Sequence, residues 1–341
     1  MSDAPRLRDV AERAGVSVSL VSSFINSPEK VGAASGDRIS RAIAELKFVP
    51  NDAARRLRRG QSRMVAFVAY DIADPNFALI ARGAQARAAE AGLQVVLADT
   101  AGVARTERDY IAMFEEQRVR GVLLSPAQHP EEYLHSLQTR GIPAVLVDHQ
   151  PPAAGWPSVA VDNYAGGRLA ARHLLATGRR DLVVLGGDES IPQVAERLRG
   201  ATDAVAEAPG ARLRFITSET RDTAAGRELA QVLLDEGGLP DAAFCINDLI
   251  ALGLMQKLSS TGVQVPDTVA VIGYNDIAAD ASGLTSLSSV RQPHEEFGRT
   301  AVELLIEALN GAAPRQVVFS PELIVRESSR GSMPSSGSER V

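Results

Sequence analysis

The sequence predicts an α/β protein: a small all-helical head, then a core of two doubly wound, mostly parallel sheets. Three observations carry this. From Met64 onward, short apolar runs alternate with amphipathic helical stretches, the pattern of parallel strands covered on both faces. About ten such units are more than one open sheet comfortably holds, so two subdomains are expected. Residues 1–47, by contrast, show helical periodicity and no strand.

The strand runs, in order, are Val65–Ala69, Val95–Ala98, Val122–Leu124, Ala144–Val147, Val159–Val161, Leu182–Leu185, Arg212–Ile216, Ala243–Ile246 and Val269–Gly273. Between them lie helical stretches such as Phe77–Ala91, Thr106–Val119, Ala165–Ala176, Ala224–Glu236 and Leu249–Ser260. The boundaries read from this pattern are a head at 1–49, a Pro-led, Arg-rich connector at 50–62 and a core at 63–327. Ser328–Val341, rich in Ser and Gly with no apolar repeat, reads as a disordered tail.

In the head, Leu7, Val10, Ala11 and Ala14 fall on one helix face. Gly15 ends that helix where a left-handed residue costs least, and Ser17 offers an N-cap for a second helix reaching about Ile25. Val21, Phe24 and Ile25 turn inward, leaving Val18, Ser19, Ser22 and Ser23 outward. A third helix carries Ile39, Ile43 and Leu46, with Gly36 inside it as a weakness of about 1 kcal/mol against Ala. Two short helices around a Gly turn describe either a helix-turn-helix or an ordinary three-helix bundle.

Charge favours the first. Residues 1–63 hold 12 Lys and Arg against 7 Asp and Glu, whereas the whole chain carries −6. A basic head on an acidic body suits contact with nucleic acid at the head alone. The opening residues carry charges throughout with no apolar core of a secretion signal, so a cytoplasmic, nucleoid-associated protein is expected, without membrane partners. The single cysteine, Cys245, lies in an apolar run and reads as core.

The residues then narrow the reading. Asp9-Val10-Ala11, Ala14-Gly15-Val16-Ser17, Val21-Ser22 and Asn26, followed by Phe48, Pro50-Asn51, Ala54-Arg55, Leu57-Arg58 and Gly60, resemble the head and connector of the lac/galactose repressor family, and the resemblance continues to about Ser328. It implies a transcription regulator, most often a repressor, acting as a homodimer on a pseudo-palindromic operator. It implies that Val18, Ser19 and Ser23 read base edges, with Ser23 where an Arg is usual, and Leu20 where a Thr is common. Leu7, Arg8, Ser17, Ser22, Asn26 and Lys30 complete the expected DNA contacts, chiefly to phosphates. In the connector, Asn51, Ala54, Arg55, Leu57 and Arg58 are expected on DNA, with a helix forming only when phosphates neutralise the arginines. Leu57 would wedge the minor groove.

The core resembles the periplasmic sugar-binding fold: lobes 63–161 plus 292–320 and 162–290 plus 321–327, joined by crossovers near Asp162, Arg291 and Pro321. Ligands of open α/β folds sit beyond the strands' carboxyl ends, where Asp71, Asp74, Ser125, Asp148, Asp162, Asn247 and Asn275 recur. The positions matching the family's effector contacts are Asp74, Asn76, Phe77, Ser125, Asp148, His149, Arg197, Arg221, Asn247, Asn275 and Gln292. They imply a small carbohydrate-like effector, with no metal and no cofactor. Asn76 stands where an aromatic is frequent, so the site reads as poor in aromatics, and Arg197 with Arg221 suits an anionic effector such as a sugar acid or phosphorylated sugar. A pocket bypassed by a corepressor or a protein partner is the alternative, and a solute receptor a remoter one. Phosphate-loop, zinc-hydrolase and nucleophile-elbow signatures are all missing, which argues against an enzyme. The dimer is expected through core helices including Phe77–Ala91, and the tail lacks the leucine repeat of tetrameric relatives.

Overall fold

The computed structural model describes residues 5–48, 62–127, 130–151, 155–277 and 285–330. The connector residues Asn51, Ala54, Arg55, Leu57 and Arg58 therefore lie outside the described residues. The chain divides into two units, residues 1–62 and 63–341.

The first unit holds helices α1 (Leu7–Ala14), α2 (Val18–Asn26) and α3 (Ala33–Leu46). Gly15, at φ 63°, closes α1 through bonds to the Ala11 and Glu12 carbonyls. Ser17 Oγ accepts from Leu20 N at 3.2 Å and starts α2. The helices share a small core of Val10, Ala11, Ala14, Val21, Ile39, Ala42 and Phe48, while Arg13 pairs with Glu45 at 2.6 Å across α1 and α3. Gly36 is buried, and a Cβ built on it would stand 3.0 Å from Phe24 Cε2. Its helix-propensity cost is thus offset by the close approach of α2, which corrects the expectation of a plain weak point.

The second unit carries two six-stranded sheets. In the first, the order is β11-β5-β4-β3-β1-β2, from β1 (Met64–Ala69), β2 (Gln94–Asp99), β3 (Gly121–Leu124), β4 (Ala144–Val147), β5 (Ser158–Val161) and β11 (Gln316–Phe319), all parallel. In the second it is β12-β10-β9-β8-β6-β7, from β6 (Asp181–Leu185), β7 (Arg212–Ile216), β8 (Ala242–Cys245), β9 (Ala270–Asn275), β10 (Ser288–Arg291) and β12 (Glu322–Ile324), with only β12 antiparallel. The chain crosses between the sheets three times: after β5, after β10 and after β11. Val, Leu and Ala fill the central strands, which are buried on both faces, as parallel sheets require. Cys245 is part of the second lobe's core, and burial pushes its thiol up.

Among the described residues, eight helices cover the sheets: α4 (Pro75–Glu90), α5 (Ala104–Glu116), α6 (Glu131–Thr139), α7 (Asn163–Ala176), α8 (Pro192–Ala206), α9 (Thr223–Asp235), α10 (Asp248–Ser260) and α11 (His294–Leu309). Six of them pack in three pairs through glycines: α4 with α11, α7 with α8 and α9 with α10. Gly83 of α4 lies against the Glu295 carbonyl, and Gly298 of α11 against the Ile80 carbonyl. The apolar face of α4, Phe77, Ile80, Ala81, Ala84 and Ala88, is thereby consumed within the first lobe. The chain also stays folded past the expected start of the tail. Ser328 and Ser329 are fully buried, Ser328 Oγ donating to the Val271 carbonyl at 2.7 Å and Ser329 Oγ meeting His173 Nε2 at 2.9 Å.

A methyl group at Gly298 would come within 1.9 Å of a backbone oxygen that cannot swing away. Gly298→Ala is expected to cost about 2 kcal/mol or more, in the range of overpacked cores; urea unfolding followed by circular dichroism measures it.

Candidate effector cleft and nucleic-acid face

The carboxyl ends of both sheets open on one cleft of about 510 Å³ between the lobes. The turn after β1 contributes Tyr70, the start of α4 Asp74, Asn76 and Phe77, β3 Ser125, and β4 Asp148 and His149. From the other lobe come Asp188, Gln193 and Arg197 around α8, Arg221 before α9, Asn247 before α10 and Asn275 at the end of β9. Ten of the eleven positions expected from the sequence thus line one space. Gln292 stands behind it, buried, and donates through Nε2 to Asn275 Oδ1 at 2.7 Å. Asp71 and Asp162, two of the strand-end acids, do not line the cleft: Asp71 caps the turn after β1 by accepting from Ala73 N at 2.9 Å, and Asp162 is the N-cap of α7, accepting from Ala165 N at 2.8 Å.

Local structure explains how the groups are presented. Asp74 caps α4 by accepting from Asn76 N at 3.0 Å, and Asn247 caps α10 by accepting from Ile250 N at 2.9 Å. Asn247 Nδ2 also donates to the Arg221 carbonyl at 2.8 Å, fixing the loop that carries that guanidinium. Asp148 sits in the left-handed region at φ 54°, Asn275 at φ 102° and Asp276 at φ 57°. Side chains adopt such turns at a cost of about 1–3 kcal/mol each, and they cluster where a site demands an orientation.

Arg197 is 6% exposed. Its Nε donates to Asn163 Oδ1 at 2.8 Å and one terminal nitrogen to the Ile246 carbonyl at 2.6 Å, while its plane lies 3.6 Å from the Tyr274 ring centre. Gly167 permits this, because α7 rests directly on the Arg197 carbonyl there. Much of the guanidinium is therefore spent on the protein, which corrects the expectation of two arginines held ready for an anion. Arg221 lies 4.5 Å over the Tyr70 ring, and that ring stacks on Phe77 at 6.5 Å. The site is thus less poor in aromatics than the sequence suggested. Tyr70 was missed because it lies just past the apolar run of β1; Gln193 and Asp188 were missed because α8 was not recognised.

Side chains of the second lobe reach across the cleft to the first. Gln193 Nε2 donates to the Asp148 carbonyl and, at 3.4 Å, to its Oδ2, and Arg221 covers Tyr70. Burial pushes the Asp148 carboxyl up to about 6, against the pull of Arg197 and Arg221. Burial likewise raises Asp74. Behind Asn275, Asp248 is pushed up to about 7 by burial while accepting from Ser289 Oγ at 2.6 Å and Ile277 N at 2.7 Å. Its neighbour Asp276 pairs with Arg291 at 2.7 Å and Arg326 at 2.6 Å. The turn that presents Asn275 is thus tied to residues flanking two of the crossovers.

On the head, Ser17, Val18, Ser19 and Ser23 are exposed, Val18 at 41%. Ser22 and Leu7 are half-buried, Leu7 against the head's core. Lys30 is exposed, as is Arg8, which pairs with Glu12 at 3.2 Å; such exposed pairs hold weakly and yield to a phosphate. The side chain of Asn26 lies outside what the structure describes.

Residues 6–51 match the family of bacterial regulatory proteins, lacI family, and residues 171–329 match the periplasmic binding protein-like domain. The HTH-type transcriptional repressor PurR of Vibrio parahaemolyticus is 30% identical over 324 residues, covering 94% of this chain and 97% of that protein. The chain belongs to the lacI family. The HTH-type transcriptional repressor CytR of Escherichia coli is 29% identical over 331 residues, with 96% and 97% covered. Among solved structures, the lac repressor dimer bound to operator and the anti-inducer ONPF superposes with TM-score 0.83 at 24% identity, over 96% of this chain and 99% of that one. The transcriptional regulator CelR–cellobiose complex gives 0.70 at 30%, over 95% and 99%. This lacI-family chain is accordingly a DNA-binding transcriptional regulator, and the relatives named are repressors rather than enzymes. No described helix is long and apolar enough to cross a membrane.

Asp148 yields a pH test. Its folded value of about 6 lies above the ordinary 3.8, so its ionised form burdens the native state above pH 6 and the burden lifts as pH falls towards 4. Asp148→Asn is expected to raise stability at pH 7.5 by about 1–3 kcal/mol. That advantage should shrink by pH 4.5, as read from urea unfolding at both pH values.

Proposed function

We propose that the chain is a repressor that binds a pseudo-palindromic operator as a homodimer, its affinity set by a small carbohydrate-like effector taken into the interlobe cleft. The observation that carries this is a helix-turn-helix head joined in one chain to a polar cleft at the carboxyl ends of two sheets. Val18, Ser19 and Ser23 are its base-reading residues, with Arg8, Ser17, Ser22, Asn26 and Lys30 on phosphates beside Leu7. Asn51, Ala54, Arg55 and Arg58 of the connector bind the backbone around the Leu57 wedge. The effector contacts are Asp74, Asn76, Phe77, Ser125, Asp148, His149, Arg197, Arg221, Asn247 and Asn275, with Gln292 supporting Asn275.

For the homodimer, α4 has little apolar surface left to offer. Exposed apolar side chains gather instead on the edge strand β2 and its surroundings: Val96, Leu97, Ile72, Val103 and Met113. An exposed edge of this kind invites pairing with a second chain. Effector and operator then act on one another reciprocally, by a coupling of about 1–3 kcal/mol.

Sites selected from random duplex DNA by the full chain test the reading. A two-fold symmetric consensus is expected, released or tightened by an effector drawn from a sugar and nucleoside panel; no preference over competitor DNA sinks it. Leu57→Ala should weaken that site at least tenfold while the core stays folded. Leu97→Glu should give monomers in analytical ultracentrifugation and lose the site.

A further inference from the structure

A second cavity, of about 410 Å³, opens at the end of the first lobe's sheet that lies away from the cleft. Its walls come from the amino ends of β3, β4, β5 and β11 and from the last turns of α11. Trp156, Ile142, Pro143, Leu304 and Leu309 supply the apolar part. A volume of this order suits a small organic molecule, which such sites hold on apolar walls and orient through a few polar groups.

Three charges stand in the lining, and they are not equally committed. Arg315 grips Glu307 through two bonds of 2.8 Å, and that grip holds the Glu307 carboxyl below its ordinary range. The acid is spent. Arg120, which directly precedes β3, is half-buried, and its guanidinium makes no hydrogen bond or ion pair among the described residues. Its main chain is fixed nonetheless, Arg120 N donating to the Met64 carbonyl at 2.6 Å. The described lining therefore carries one uncommitted cation and no uncommitted acid.

An aromatic surface shares the cavity. Trp156, the single tryptophan of the chain, is half-buried and meets the His135 ring edge-on at 5.7 Å. An indole braced in this way gives a ring something flat to pack on.

We propose that this cavity is a ligand site for a small aromatic carboxylate, its acid group taken by Arg120 and its ring packed against Trp156. A guanidinium meets a carboxylate through two parallel charge-assisted bonds, whereas an amine would find the acid of the lining already paired. The site is separate from the cleft, although one strand links them. Ala144, the first residue of β4, lines the cavity, and Asp148, just past its end, lines the cleft, about 13 Å along the strand. The assignment stands whether or not the cleft takes an effector.

The single tryptophan makes the test direct. The full chain at pH 7.5 is titrated with phenylacetate and, as matched probes, phenylacetamide and phenethylamine, while the indole fluorescence is followed. A saturable change is expected with phenylacetate alone. Arg120→Gln, checked for cooperative unfolding, should weaken that binding at least tenfold, and Arg120→Lys, which keeps the charge but not the fork, should weaken it less. Equal binding of the amide or the amine overturns the proposal. So does a phenylacetate affinity indifferent to Arg120→Gln, which would place the probe elsewhere on the chain. A wild-type chain that gives no saturable change with any of the three overturns it as well, and leaves the reading of the cleft untouched.

Discussion

A guanidinium cannot be taken out of water without compensation on every side, and the burial of Arg197 organises the ligand end of this molecule. Asn163, the Ile246 carbonyl and the Tyr274 ring hold it, and the nearby acids Asp74 and Asp148 balance its charge. Each partner comes from a different segment. The α7 helix gives Asn163, the end of β8 gives Ile246, β9 gives Tyr274, and the other lobe gives both carboxylates. Removing the guanidinium would leave several buried acceptors bare at once, which is costlier than the loss of any one bond. Glycines make the arrangement possible. Gly166 leaves room for the Tyr274 hydroxyl, while Gly167 and Gly200 let α7 and α8 touch through their backbones.

The lobes meet through few direct contacts and three short crossovers, a construction that allows two discrete arrangements. Gln193 and Arg221 hold the present one from the second lobe. The hinge is not slack. Asp276 binds Arg291 at the end of β10 and Arg326 just beyond β12, and the preceding residue, Asn275, faces the ligand space and receives Gln292 from the second crossover. A group that displaces Asn275 therefore acts on two crossovers through one turn. The strained φ values at 275 and 276 fit a turn over-determined by these bonds.

The alternation of apolar runs and helices made nine of the twelve strands among the described residues legible in the sequence. The remaining three obey other physics. β10 reads Ser-Ser-Val-Arg and looks like a loop, yet Ser288 and Ser289 are buried, because the Arg326 carbonyl and Asp248 accept from their hydroxyls. β11 and β12 are edge strands, only partly covered, so they lack the continuous apolar run that marks an interior strand. The cleft was legible because strand-end polar residues recur, but that rule also returned Asp71, which caps a turn, and Asp162, which caps α7. Nor can the rule say which groups are already spent. Arg197 is an unpaired cation in the sequence and a satisfied one in the fold; Asn76 is an unremarkable helix-start residue until its oxygen proves buried and unmatched.

The head poses the complementary problem, too few strong contacts rather than too many. An arginine gripping a guanine with two bonds discriminates by about 1–3 kcal/mol, whereas a single neutral hydrogen bond contributes about 0.5–1.5 kcal/mol net. Under the proposed readout by Val18, Ser19 and Ser23, each head of this chain falls towards the lower figure. Selectivity must then come from duplication and geometry: two heads on one symmetric dimer double whatever each supplies, and only when their separation matches the site. Weak individual readout makes operator affinity depend more steeply on that separation than strong readout would. A coupling of about 1–3 kcal/mol between effector and DNA is then a large share of the discriminating energy, so short side chains on the recognition helix and a responsive cleft in the core are two parts of one design.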